Sequence, residues 1–403
     1  MAAELRVGRL SARGEGMAEE IVVPRALPGE AVRGEVVGGR MPAPEVLRPS
    51  PHRVAPPCPH FGACGGCALM HASDRFVAAW KADAVRRALA ARGIAAEVAG
   101  VATSPPASRR RAVLSGRRAG GGAVVGFHAR ASEAVVPVPL CRVLTPALLA
   151  LLPALEEVVA AGATRRGEVS LTVTEAAAGA DVAVAGGPVP DAGRILALAG
   201  IARAAGIARL TWAGEPVALR APPAQSFGGV RVVPPPGAFL QATRHGEAAL
   251  RAVVMAALPD GPAVDLFAGC GTFALPAASA RAVHAVEGDA AMVDALVAGA
   301  RGAAGLRPVT GAARDLFRRP LAGAELAPYA AAILDPPRAG AEAQAAALAA
   351  AGPPVVAHVS CNPVTFARDA ATLIAGGYRM GPVHVVDQFR WSAHVELVAA
   401  FRR

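Results

Sequence analysis

The chain has 403 residues, with 41 Lys and Arg against 31 Asp and Glu, a net charge of +10 and a pI of about 10.4. That length holds two or three domains with full cores, and that charge asks for a polyanionic partner, nucleic acid before membrane. Apolar stretches break at Pro, Gly or charge well short of the ~18 residues of a membrane span, and Glu4 and Arg6 interrupt any leader-like start, so a cytoplasmic protein is expected. Its six cysteines should then be thiols or metal ligands, not disulfides. Lys81 is the single lysine. An almost purely arginine charge suits bidentate phosphate contacts, and equally the codon bias of a GC-rich genome.

Residues 1–50 read as short strands punctuated by Gly and Pro (LRVGRL, SARGEGMAEE, IVVPRALPGEAVRGEVV), which predicts a small OB-like β-barrel. The GEG and VPRALPGE pattern resembles a TRAM domain, an RNA-binding module; a β-rich appendage of no set role is the blander alternative. Pro42, Pro44, Pro49, Pro51, Pro56 and Pro57 mark a linker. Within residues 51–75 stands Cys58-Pro-His-Phe-Gly-Ala-Cys64-Gly-Gly-Cys67, with a fourth thiol alone at Cys141. Gly62, Gly65 and Gly66 let the backbone fold tightly enough for the sulfurs to converge. Four thiolates can hold either a 4Fe-4S cluster or a zinc ion, and the spacing alone does not choose.

Residues 76–225 are expected to form a central α/β domain. Phe76 to Arg92 has helical periodicity and stops at Gly93. Ser108-Arg-Arg-Arg111 and Arg117-Arg118 flank a short strand, as a solvated face or as phosphate contacts. Phe127 to Cys141 is β-rich, and residues 147–219 alternate helix and strand without a motif of chemistry.

Residues 226–403 switch to alternating β and α, the pattern of a doubly wound, Rossmann-like sheet. A strand over 263–267 runs into the turn Ala268-Gly-Cys-Gly271, with Thr272 opening a helix. A second strand over 283–287 ends in Glu287, 18 residues after Gly269, where an acid can grip ribose hydroxyls. D-x-F-x-G-x-G-x-F followed by that acid favours S-adenosylmethionine over NAD, since Ala274 stands where a third Gly belongs. The strand over 330–335 ends in Asp335-Pro-Pro-Arg338, a stiff loop at the carboxyl edge of the sheet, where such sheets bind ligands. Beyond it, the apolar run 353–359 leads to Ser360-Cys-Asn-Pro363 and a helix over 363–375. A thiol just before a helix N-terminus meets positive potential that favours the thiolate, although a buried inert Cys is the commoner fate. The segments 383–389 and 395–401 read as a final strand pair. Glu396, at the start of the last, would reach the same edge if that strand is antiparallel, and burial there would make it a base.

Taken together, CPHFGACGGC with Cys141, FLQ at 239–241, DLFAGCGTF with DPPR, and VSCNP with HVE resemble the S-adenosylmethionine-dependent RNA 5-methyluridine methyltransferases. The likeness is greatest to the branch with a TRAM domain and an iron–sulfur cluster that acts on 23S ribosomal RNA. It covers nearly the whole chain and is thinnest over 145–225. It implies a 4Fe-4S cluster rather than zinc on Cys58, Cys64, Cys67 and Cys141. It also implies cofactor contacts from Gln241, Phe267, Glu287, Asp315 and Asp335, a nucleophile at Cys361 and a base at Glu396. The partner would be RNA, ribosomal before transfer, and the protein a monomer without membrane contact. Three departures stand out: Thr243 and Thr272 replace usual asparagines, and Phe389-Arg-Trp-Ser392 replaces a usual FPHT.

That resemblance implies addition of the Cys361 thiolate to uracil C6, methylation at C5, and proton removal by Glu396. The base must leave its stack, so the target is single-stranded or flipped. DPPR lacks the Cys of the cytosine-C5 enzymes and the aromatic of the adenine-N enzymes. A transfer-RNA uridine enzyme remains an alternative. A non-catalytic iron–sulfur RNA-binding protein leaves Cys361 and Glu396 unexplained.

Overall fold

The computed structural model describes residues 2–403. Its largest sheet has the order Val309–Ala313, Val283–Glu287, Ala263–Leu266, Ala331–Leu334, Val355–Ser360, Glu396–Arg402, Val383–Asp387 and Val98–Thr103, with Arg379–Met380 paired beside Glu396–Arg402. The first five strands are parallel, and Glu396–Arg402 enters antiparallel. Both faces are covered, so the strands are apolar throughout and alternate between two cores with the period of a strand. Ala263, Ile333 and Val359 pack on one side with Leu250 and Val254 of helix Arg244–Ala257 and Leu296 of helix Ala290–Arg301. Val264, Leu334 and Val356 pack on the other with Leu348, Phe366 and Leu373 of helices Glu342–Ala351 and Pro363–Ala375. Strand order reverses between Ala263–Leu266 and Ala331–Leu334, which places a ligand crevice beyond their carboxyl ends.

The last strand of this sheet comes from a segment expected in the central domain. Val98–Thr103 lies parallel to Val383–Asp387, and helix Asp74–Ala90 buries Val85 and Leu89 in the same core as Phe366. Residues 74–103 are thus built into the C-terminal sheet, because Val383–Asp387 would otherwise be an open edge. The central sheet begins later. It runs Val135–Pro137, Gly122–His128, Arg111–Ala119, Glu168–Thr174, Asp181–Ala185, Arg209–Trp212 and Glu215–Leu219, covered by helices Pro146–Gly162 and Ala192–Ala204.

At the N-terminus two three-stranded sheets share a small core of Val7, Val23, Val32 and Met41. The first sheet joins Ala2–Arg6, Ala31–Glu35 and Glu45–Arg48, and the second Arg9–Leu10, Gly16–Ala18 and Ile21–Val23. No helix among the described residues is long and apolar enough to cross a membrane.

Candidate active site

The glycine turn after Ala263–Leu266 is set by backbone conformation. Phe267, Gly269 and Gly271 have φ of +64°, +54° and +96°. A Cβ on Gly271 would lie 2.8 Å from Leu275, whereas one on Gly269 would meet nothing within 4 Å. Gly269 therefore leaves its backbone open to a ligand. The helix expected to open at Thr272 begins at Ala274, because residues 269–273 are spent in this turn.

Glu287 holds the rim together. Its carboxylate accepts from the amides of Gly269 at 3.0 Å, Gly288 at 2.7 Å and Asp289 at 3.1 Å. Asp315 accepts from the amides of Phe317 at 2.9 Å and Arg318 at 3.3 Å, and the Phe317 ring lies 5.3 Å from that of Phe267. Asp335 receives the side-chain amide of buried Gln241 at 3.4 Å.

The strand Val355–Ser360 pairs with the last strand so that Ser360 faces Leu397. One step further along this register, Cys361 stands opposite Glu396. Burial, then the charge of Asp335, pushes Glu396 up to about 8, against the opposing effects of a Gln388 hydrogen bond and the charge of Lys81. Asp335 is pushed up to about 7 by burial and then by Glu287. Asp265, fully buried, has neither carboxyl oxygen hydrogen-bonded, and burial raises it well above the usual range.

The helix N-terminus does not prevail at Cys361. Burial, then Glu396 and Asp335, pushes its thiol up to about 11, and Arg338 offsets only part of this. Asn362 caps the helix Pro363–Ala375, accepting from the Val364 amide at 3.1 Å. Cys270 is buried in the core and pushed up to about 12, chiefly by burial.

Gln388 joins the two halves of the site. Its Nε2 donates to Gln241 Oε1 at 2.5 Å, and its Oε1 accepts from the amides of Ala242 at 2.8 Å and Thr243 at 3.4 Å. Buried Arg110 donates to the Gln241 carbonyl at 3.3 Å and pairs with Glu247. Gln388 was not singled out by sequence, where two polar residues, Asp387-Gln388, closing an apolar strand beside HVE were the available signal; Arg110, read with its neighbours as a solvated face or a phosphate contact, is instead buried against Glu247. The Thr243 hydroxyl is engaged within the fold, where it accepts from the Gly246 amide at 2.8 Å and caps helix Arg244–Ala257.

Cys58, Cys64, Cys67 and Cys141 line one cavity, with Arg109 on its wall. Gly65 is required there, since a Cβ would fall 2.8 Å from the His128 carbonyl. His60 accepts from the Leu140 amide at 3.2 Å, tying the first three cysteines to the loop of the fourth. Burial and then neighbouring Cys141 push Cys67 up to about 12. Among the described residues, no three His, Cys, Asp or Glu side chains are grouped to hold a single metal ion.

The fold matches that of Pyrococcus abyssi tRNA (uracil-54, C5)-methyltransferase, solved in complex with S-adenosyl-L-homocysteine, with a TM-score of 0.77 over 98% of this chain and 99% of that one, at 22% identity. That likeness gives the class of fold: a doubly wound α/β sheet of the kind that protein carries. A family model described as tRNA (Uracil-5-)-methyltransferase matches residues 306–402. An uncharacterized RNA methyltransferase of Rhizobium meliloti is 42% identical over 98% of both chains. A 23S rRNA (uracil(1939)-C(5))-methyltransferase RlmD of Halomonas elongata is 36% identical over 98% of this chain and 88% of that one. The chain belongs to the RNA (uracil-5-)-methyltransferase family.

Proposed function

We propose that this protein methylates C5 of a uridine in 23S ribosomal RNA, with Cys361 as nucleophile and Glu396 as base. The observation that carries the reading is the register that sets Cys361 opposite Glu396 at the edge where Asp335 and Gln241 meet. Four carboxyls crowd this edge: beyond the effect of burial, Asp335 and Glu287 raise the proton affinity of Asp265, Glu287 that of Asp335, and Asp335 that of Glu396. A cleft so poor in positive charge suits a cationic ligand such as a sulfonium. Gln241, Phe267, Glu287, Asp315 and Asp335 would hold S-adenosylmethionine, with Glu287 on the ribose. When bound, the cofactor supplies an electrophilic methyl group.

The chain's own residues do the rest. Cys361 gives up its proton to solvent and its sulfur adds as the thiolate to C6 of the uracil, which makes C5 enolate-like and able to take the methyl group. The Glu396 carboxylate then removes the C5 proton, and the C6–sulfur bond breaks to release the methylated base and Cys361. A high resting proton affinity at both groups is relieved when positive charge enters beside Asp335. Phe239 is 58% exposed two residues from Gln241, with Arg111 5.6 Å from its ring centre, and offers a stacking surface for an unstacked base.

Three further readings accompany this one. The two N-terminal sheets would act as a TRAM-type RNA-binding module. The four cysteines would hold a 4Fe-4S cluster: thiolates around a cluster surround a volume and need not converge on one ion, which suits a shared cavity. Ribosomal RNA is favoured by the whole-chain likeness to the Halomonas enzyme, and transfer RNA is the competing substrate. The test is incubation of the anaerobically purified protein with radiolabelled cofactor and unmodified 23S or transfer RNA, with mass spectrometric mapping of the product. Label in 5-methyluridine of 23S RNA is expected; label in transfer RNA alone would move the substrate, and no label in either would reject the activity.

A further inference from the structure

Lys81 is the chain's single lysine, and it is fully buried on helix Asp74–Ala90. An ammonium group taken out of water is costly and must be matched by its partners. Its Nζ donates to Asp387 Oδ1 at 2.5 Å and to the Phe389 carbonyl at 3.3 Å. These acceptors bracket Gln388, whose side chain donates to Gln241, and Asp387 closes the strand that pairs Val386 with Glu396. The same stretch of chain fastens the residues on either side. Asp74 pairs with Arg390, Arg390 donates to the Ser104 carbonyl at 3.1 Å, and the Ser104 amide donates to the Asp387 carbonyl at 2.9 Å. The amides of Ala68 and Leu69 both donate to the Trp391 carbonyl at 2.8 Å, where Trp391 itself has a φ of +62°. Residues 68–104 therefore hold the segment that carries Gln388.

We propose that Lys81, paired with Asp387, is a positioning residue of the methyl-transfer reaction: it fixes the Asp387–Phe389 segment, and through the strand pairing of Val386 with Glu396 it sets that carboxyl and the charge around it at the Cys361 edge. The inference rests on the reading of Glu396 as the base. A well-packed apolar side chain could stabilise this position as well as a buried ion pair does, so the charge itself calls for a role. The charged and titratable groups around the pair are Asp335 and Cys361 beside Glu396, Asp387 on the adjoining strand, and Arg390 and His394 in the loop between the last two strands. Lys81 favours the ionised form of Glu396, and Asp335 opposes it.

Opposite substitutions should act with opposite sign. Lys81→Met removes the positive charge, so Glu396 holds its proton to higher pH. Asp387→Asn leaves the ammonium unbalanced, so Glu396 loses its proton at lower pH. The rate at which a preformed enzyme–RNA adduct resolves, followed against pH by denaturing electrophoresis, should shift its acid limb up by about half a pH unit or more in the first and down in the second. A purely structural pair would lower the melting temperature of both and separate neither limb. A second measurement needs no variant of the pair: in protein labelled with carbon-13 lysine, Lys81 gives the single lysine side-chain signal. Its chemical shift should show a titration step that vanishes in Glu396→Gln. The proposal is overturned by a lysine signal blind to Glu396→Gln, or by folded variants whose limbs stay put or move together. If neither variant folds, the lysine signal decides alone. Failure of the wild-type protein to form an adduct with any RNA would instead strike the reading of Glu396 as the base.

Discussion

Glu396 stands opposite Cys361 because the last strand runs antiparallel to the strand that ends at Ser360, with Ser360 paired to Leu397. A parallel last strand would carry its first residue to the far end of the sheet. The reversal brings two groups, 35 residues apart in sequence, to one carboxyl edge.

Their variants should fail differently. Cys361→Ala cannot add to C6 and should show no covalent species. Glu396→Gln keeps the nucleophile but not the base, so enzyme, methyl group and RNA should accumulate as one complex. Denaturing electrophoresis with radiolabelled cofactor reads both outcomes. A covalent band with Cys361→Ala would pass the role to another thiol, although Cys270 is buried in the core.

Glu396 also gives a pH-dependent stability. Burial and Asp335 raise it from 4.5 to about 8, so the folded state keeps a proton that the unfolded state has lost. Its effect is neutral below 4.5 and increasingly destabilising as pH climbs to about 8. Glu396→Gln removes this penalty, of at most about 5 kcal/mol at ~1.4 kcal/mol per pH unit. The variant should therefore melt higher than the wild type in mildly alkaline buffer and show no such gain in acid. Thermal unfolding at both pH values checks the sign.

Glu287→Ala should weaken S-adenosylmethionine binding about tenfold or more, the worth of a lost charge-assisted bond. It also frees the Gly269, Gly288 and Asp289 amides, so some thermal stability should go with it. Calorimetry on folded protein measures the first effect, and unchanged affinity would remove Glu287 from the cofactor site.

Gly65→Ala places a Cβ 2.8 Å from the His128 carbonyl. The cysteine segment must then shift, at a cost of about 1–3 kcal/mol. Iron and acid-labile sulfide per chain should fall with it in anaerobic preparations, whereas Gly200→Ala in helix Ala192–Ala204, where a Cβ meets nothing within 4 Å, should leave the metal content unchanged. Stoichiometric zinc without sulfide in the wild type would replace the cluster by a metal ion.

Arg110→Met takes from the buried Glu247 carboxylate its nearer guanidinium, leaving Arg251 at 3.5 Å, and frees the Gln241 carbonyl. Removing one partner of a buried pair costs about 3–5 kcal/mol. Denaturant unfolding should show the loss, and a change below ~1 kcal/mol would mean that water replaces the guanidinium.

Much of the C-terminal half was legible in the chain itself. The short apolar runs, the glycines of the turn after Leu266, and Pro363 at a helix start are local signals. The strand Val283–Glu287 and the helix Pro363–Ala375 lie where those signals placed them. Local chemistry also marked Cys361 and the three clustered thiols Cys58, Cys64 and Cys67, whereas Cys141 stood far off in the chain and Glu396 gained its expected role from the family resemblance. Tertiary structure decided what depends on partners distant in sequence. It built residues 74–103 into the catalytic sheet, because an edge strand's free backbone groups choose their neighbour only in the fold. It recruited Gln388 and Lys81, whose meaning lies in contacts across 147 and 306 residues. It also reversed the expected ionisation of Cys361: a helix N-terminus can be read in sequence, but the burial that outweighs it, and after it the charges of Glu396 and Asp335, arrive only when the strands assemble.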